Sequence, residues 1–109
     1  MAYNEFLADR IRGILNEKKV AFEEKKMMGG LTFMVNDKMC VGIVKDDLMS
    51  RIGPAVYDEA LNQDGVREMD FTGRPMKGYV FIDADGMDTE VQLTHWIDLA
   101  LSFNKEITG

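Results

Sequence analysis

The chain has 109 residues, of which 46% are hydrophobic and 29% are charged, a balance typical of a single globular domain over residues 1–109. Its formal net charge of −6 argues against a duplex nucleic-acid binder, because such proteins usually present a basic face. No apolar run approaches the roughly 20 residues that span a bilayer. Charged residues at positions 5, 9 and 10 stand where a signal peptide would need an apolar stretch, so we expect a cytoplasmic protein with no membrane partner.

The first element is predicted to be a helix from about Tyr3 to Lys19, with Asn4 as its N-cap. The apolar residues that recur on one face at helical spacing are Tyr3, Leu7, Ile11, Ile14 and Leu15. Gly13 lies inside this helix and weakens it by roughly 1 kcal/mol relative to alanine.

Extended segments follow, separated by short turns. Alternating or continuous apolar patterns predict strands over residues 20–26, 31–35 and 39–44, and a fourth strand over residues 48–52. The connection at residues 36–38 has the length and composition of a hairpin turn. Hairpin connections of this kind favour a mainly antiparallel sheet.

The remaining elements complete an α+β domain. A second helix is predicted to open at Gly53-Pro54 and to end at Asp64-Gly65. Residues 66–77 have irregular or edge-strand character, and residues 79–82 form a strand. The last helix is predicted from a capping box of Thr89 and Gln92 and an apolar stripe of Leu93, Trp96, Ile97, Ala100 and Leu101. The predicted order is helix, three or four strands, helix, about two strands, helix.

No motif in the chain is a sufficient signature of catalysis, a metal or another cofactor. The one cysteine, Cys40, lies in an apolar run and is expected to be a buried, inert thiol. The one histidine, His95, lacks companions at metal-ligand spacing, so a structural or surface role is expected. A nucleophilic Cys40–His95 pair stays open, since such partners meet in space. The acidic run at residues 83–90 does not match a calcium-binding EF-hand loop, because its glycine is not at the sixth position and its twelfth position lacks the glutamate.

The stretch over residues 69–79 is the most informative part of the chain. Arg74 and Lys77 lie on a loop rich in glycine and proline, and this loop belongs to the acidic second half. Two interpretations of Arg74 stay open, because it could bind a carboxylate or phosphate of a partner, or pair internally with Asp70 or another acidic residue. Most methionines are expected in the core, and those beside glycines or loops, Met28, Met69 and Met76, are surface candidates.

Three blocks carry a family resemblance. Residues 26–39 (KMMGGLTFMVNDKM), 45–54 (KDDLMSRIGP) and 71–80 (FTGRPMKGYV) resemble, in order, the blocks of the TfoX N-terminal-domain family, with Met28 where that family usually has Phe. The resemblance implies an α+β fold of the secretion-chaperone-like type, a bacterial cytoplasmic setting and a regulatory or protein-interaction role. It carries over no catalytic residue. Longer members are competence regulators that continue into a second, helical domain.

The leading hypothesis is a regulatory protein-binding domain that acts in transcriptional or competence control, without catalysis of its own. Its candidate partner-binding residues are Met28, Arg51, Arg74, Met76 and Lys77. The alternative is a small anionic-ligand-binding or enzymatic domain that uses the Arg74/Lys77 loop. The protein partner is not specified by the sequence, and an exposed edge strand would allow a homodimer.

Overall fold

The computed structural model describes residues 3–27, 29–69 and 76–108. Within these residues, three α-helices accompany six strands and two short 3₁₀ turns, in the predicted order. The helices are α1 (Glu5–Glu17), α2 (Tyr57–Leu61) and α3 (Glu90–Thr108), and the 3₁₀ turns are Pro54–Val56 and Ala84–Gly86. The strands are β1 (Glu23–Met27), β2 (Gly30–Val35), β3 (Lys38–Val44), β4 (Asp47–Arg51), β5 (Val66–Glu68) and β6 (Tyr79–Ile82).

The six strands form one antiparallel sheet in the order β1-β2-β3-β4-β6-β5. The predicted α+β class and mainly antiparallel sheet are therefore confirmed. The turn between β2 and β3 is formed by Asn36 and Asp37, which both have positive φ, as a tight two-residue hairpin turn requires. β2, β3 and β4 carry most of the buried side chains of the described sheet.

One face of the sheet packs on the helices. Strand pairing places Phe33, Val41, Ser50 and Val80 in one row across four strands, and all four are buried. The Ser50 hydroxyl donates a 2.9 Å hydrogen bond to the backbone carbonyl of Trp96 in α3, which fixes this row against the helix. The core is a cluster of buried hydrophobic side chains mainly from the sheet, α1 and α3.

Two predicted boundaries differ from the observed ones at the ends of α1. The prediction extended β1 back to Val20, but the Val20 amide bonds to the Leu15 carbonyl while Lys19 adopts φ 58°. This is a helix C-terminal motif of the Schellman type, so β1 begins later, at Glu23. Tyr3 lies before the helix, because it forms a bridge with Lys45 along the sheet.

The second helix is also shorter than predicted. A 3₁₀ turn (Pro54–Val56) follows Gly53, and α2 covers only Tyr57–Leu61. The capping box of the last helix is confirmed by two hydrogen bonds. The backbone N–H of Gln92 donates to the Thr89 hydroxyl oxygen at 3.1 Å, and the backbone N–H of Thr89 donates to Gln92 Oε1 at 3.0 Å. The Asn4 N-cap is confirmed by a 3.1 Å bond from the Leu7 amide.

Candidate functional site

Arg51 and Lys77 lie at the same end of the sheet. Arg51 is the last residue of β4 and pairs with Tyr79, the first residue of β6, while Lys77 precedes Tyr79 by two residues. We call this part of the molecule, made of Arg51, Lys77, Gly78 and Tyr79, the Arg51 end. Lys77 is exposed, and Met76 beside it is half-buried.

Two other candidate residues, Met28 and Arg74, lie outside the described residues. The described neighbours of Met28 lie at the end of the sheet opposite Arg51. Strand pairing shows this, because Met27 pairs with Gly30 and Leu31 pairs with Ile43. Met69, expected at the surface, is fully buried, so that prediction was wrong. Its carbonyl accepts the Met76 amide at 3.0 Å.

The Arg51 side chain is held by two aromatic rings. Its guanidinium carbon lies 5.3 Å from the centre of the Tyr79 ring and 5.5 Å from the centre of the Phe103 ring, both within cation–π range. Arg51 forms no hydrogen bond or ion pair with the described part of the chain. Its nitrogens are reachable from solvent, because the residue is only half-buried and none of them is a buried atom without a partner.

The other described arginines contrast with Arg51. Arg10 pairs with Glu90 at 3.0 Å, Arg12 forms ion pairs with Asp9 and Glu24, and Arg67 contacts Asp47 at 2.5 Å. Each of them therefore has an acidic partner within the chain. The N–H groups of the planar Arg51 guanidinium therefore remain available, and two of them can bind both oxygens of a carboxylate.

The backbone beside Arg51 is locked between two strands. The amides of Ile52 and Gly53 both donate to the carbonyl of Gly78, at 2.8 Å and 3.0 Å. Gly53 has φ +88°, and a Cβ added there would meet the Phe103 ring at 2.3 Å, so the ring packs directly on bare backbone. The Arg51 end therefore has a fixed shape and is not a free loop.

A shallow apolar groove of about 260 Å³ adjoins this backbone. It lies between the 3₁₀ turn Pro54–Val56 and the last turns of α3. The residues that line it include Ile52, Pro54, Val56, Leu99, Phe103 and Glu106. Phe103 belongs to both features, because its ring contacts the Arg51 guanidinium and also lines the groove. The cation and the groove are therefore neighbours.

The acidic run of the second half lies away from the Arg51 end. Ile82 ends β6 at the opposite end of the sheet, where it pairs with Leu48, and the acidic residues follow it in the chain. They are Asp83, Asp85, Asp88 and Glu90. These four acidic side chains therefore lie away from Arg51.

Cys40 has the environment of a structural thiol. A register shift between Phe33 and Met34 leaves Cys40 as the extra residue of a β-bulge, where it is 1% exposed. Burial raises the pKa of Cys40 to about 12, although the nearby charge of Arg51 opposes the rise. A reactive cysteine needs a lowered pKa, so this environment disfavours a nucleophilic role.

His95 is exposed on α3 and contacts Trp96 edge-on, with 5.0 Å between ring centres. It borders a wide, shallow surface shared with Glu17, Glu90 and Asp98. Among the described residues, no group of three or more histidine, cysteine or acidic side chains could hold a metal ion.

Sequence reasoning named Arg51 but missed Tyr79, Phe103 and the groove. Phe103 lies off the predicted apolar stripe of α3, and its contact with Arg51 depends on how α3 crosses the sheet. Gly53 offered the available signal, because a glycine before a proline at the end of a strand can mark a place where another side chain packs on the backbone.

None of the described helices is long and apolar enough to cross a membrane. A search of curated proteins found no match. The model of the TfoX N-terminal domain family matches residues 17–104, which include β1 to β6 and most of α3. Because this match covers most of the 109 residues, the chain belongs to the TfoX N-terminal domain family.

Proposed function

We propose that the protein is a regulatory domain of the bacterial cytoplasm that acts by binding another protein at its Arg51 end. Family membership is consistent with a regulatory role. The observation that carries the proposal is the arginine at this end, which two aromatic rings hold in place and which has no acidic partner among the described residues. Lys77 adds an exposed second cation that also forms no ion pair there.

The physical basis is preorganisation. A contact residue contributes most to affinity when its side chain is already ordered, because less conformational entropy is lost on binding. The rings of Tyr79 and Phe103 order Arg51 before a partner arrives, and the Gly78 carbonyl fixes the backbone on which it stands. Arginine and aromatic residues are also the types that dominate binding energy at protein interfaces.

A role without catalysis is part of the proposal. The buried Cys40 thiol with its raised pKa is a poor nucleophile, and His95 lies on the outer surface of α3. Neither residue lines the groove beside Arg51.

The test is capture of partners from a lysate of the organism that encodes the chain, followed by mass spectrometry. The wild type is compared with Arg51→Gln/Lys77→Gln, and with Lys25→Gln/Lys26→Gln as a control that removes the same charge from β1. We expect a partner that the wild type and the control retain and that the first variant loses. Equal capture by all three proteins would place the contact elsewhere and contradict the proposal.

A further inference from the structure

We propose that the Arg51 end binds an acidic peptide segment, with a Glu or Asp carboxylate on the Arg51 guanidinium and a neighbouring aliphatic side chain in the groove. This inference rests on the proposed function and names the chemistry of the partner. The juxtaposition that carries it is Phe103, whose ring contacts the guanidinium and also lines the groove.

The carboxylate half of the site follows from the donors of Arg51. A guanidinium has five N–H groups in a rigid plane, which can hold both oxygens of a carboxylate. Contacts with Tyr79 and Phe103 restrict where that plane can lie, and no described residue accepts a hydrogen bond from it. An acceptor brought by a partner would meet ordered donors whose charge is not already neutralised.

The apolar half follows from the size and lining of the groove. Its volume of about 260 Å³ lies below the roughly 300–1,000 Å³ of typical small-molecule and cofactor sites. Ile52, Pro54, Val56 and Leu99 provide aliphatic walls, and Phe103 provides an aromatic one. A space of this size and chemistry suits a side chain rather than a whole cofactor.

Charge distinguishes an acidic peptide from a polyanion. Glu106 lines the same groove, and the protein has a net charge of −6, so an extended phosphate backbone would meet repulsion over most of its length. A single carboxylate avoids that repulsion by contacting Arg51 beside Lys77. We therefore choose a peptide with isolated acidic residues over a nucleic acid.

The experiment is selection of random dodecapeptides displayed on phage against the wild-type protein. Selected sequences are then made as synthetic peptides, each with an amide counterpart in which Glu becomes Gln and Asp becomes Asn. Affinities are measured by fluorescence anisotropy for the wild type, for Arg51→Gln and for Lys26→Gln, which removes one charge at the opposite end of the sheet. Circular dichroism confirms that each variant is folded.

We expect the selected peptides to place an acidic residue next to an aliphatic one. Loss of a charge-assisted bidentate contact should weaken binding to Arg51→Gln by about tenfold or more, while Lys26→Gln binds as the wild type does. The amide counterparts should lose a similar factor. Peptides without an acidic residue, equal binding to Arg51→Gln, or no selection above background would each overturn the proposal.

Glu106→Gln gives a second test that does not depend on the stability of Arg51→Gln, because Glu106 is exposed near the end of α3. Removal of this negative charge from the groove should tighten binding of the selected acidic peptides. Unchanged or weaker binding would contradict the inference.

The two proposals can fail separately. A cellular partner lost by Arg51→Gln/Lys77→Gln, together with selected peptides that lack acidic residues, would leave the proposed function standing and remove the acidic-peptide inference. Acidic peptides that bind wild type and Arg51→Gln equally, with a captured partner equally unaffected, would remove both.

Discussion

At the scale of single residues, the function of a side chain depends on neighbours far away in the sequence. Arg51 is positioned by Tyr79 from β6 and Phe103 from α3, while the chemically identical Arg12 is neutralised by Asp9 and Glu24. Composition alone could not separate these two arginines. The separation depends on strand register and on the path of a helix across the sheet.

Alanine substitutions at two glycines should change the free energy of unfolding in opposite directions. Gly53→Ala should lower the free energy of unfolding by about 1–3 kcal/mol, because Gly53 has φ +88° and an added Cβ would overlap the Phe103 ring. Gly13→Ala should raise it by about 0.5–1 kcal/mol, because Gly13 lies in the exposed interior of α1 with nothing within 4 Å of the added atom. Urea denaturation measures both. Changes of the same sign would contradict the backbone description.

Tyr57 gives a second prediction at this scale. It is 5% exposed, and its hydroxyl has no hydrogen-bond partner among the described residues. Burial raises the pKa of this phenol, and the charges of Glu68 and Asp58 add to the rise. Tyr57→Phe should therefore leave stability unchanged or raise it by up to about 1 kcal/mol, since it removes an unsatisfied buried group. A loss of more than about 1 kcal/mol in urea denaturation would show that the hydroxyl is satisfied.

At the scale of elements, local signals were the reliable ones. The turn predicted at residues 36–38 and the Thr89/Gln92 capping box depend on residues close in sequence. Both are present, with the turn confined to Asn36 and Asp37 because Lys38 begins β3. The start of β1 was missed because the Schellman motif at Lys19 and Val20 uses a non-glycine residue with positive φ, which sequence patterns rarely reveal.

The site was predicted less well than the fold. Arg51 was named as a candidate contact residue, but its aromatic contacts involve three elements that no local pattern connects. The groove could not be predicted, because it exists only where the 3₁₀ turn meets the last turns of α3. Packing between distant elements determines both.

The link between α1 and β1 gives a pH prediction. Arg12 donates two hydrogen bonds to Glu24, at 2.7 Å and 2.8 Å, and these bonds lower the pKa of Glu24 below its ordinary value near 4.5. Since the folded-state pKa lies below the unfolded one, the stabilisation is fully present above pH of about 4.5 and is lost as pH falls through the folded-state pKa.

The comparison is between the wild type and Glu24→Gln, with Glu23→Gln as the control, because Glu23 forms no ion pair with the described residues. The stability difference between wild type and Glu24→Gln, measured by urea denaturation, should shrink as pH falls from about 6 to about 3. A difference that is constant over this range would show that the Glu24 ion pair contributes nothing to folding.

At the scale of the whole molecule, charged residues differ between the two ends of the sheet. The acidic residues after β6 lie at one end of the sheet, and Arg51 and Lys77 lie at the other. The net charge of −6 therefore does not describe the proposed contact surface, which includes the cations Arg51 and Lys77 as well as Glu106. Long-range repulsion from the acidic end should be screened beyond about 8 Å at physiological ionic strength, while direct contacts at Arg51 persist.

Site-specific photo-crosslinking in living cells tests the central claim most directly. A photoreactive phenylalanine analogue replaces Lys77 at the Arg51 end in one variant and Lys26 on β1 in the other, both exposed positions. We predict a discrete crosslinked protein from position 77 that is absent from position 26 and disappears when Arg51→Gln is added. The same product from both positions, or crosslinking at position 26 alone, would contradict the account.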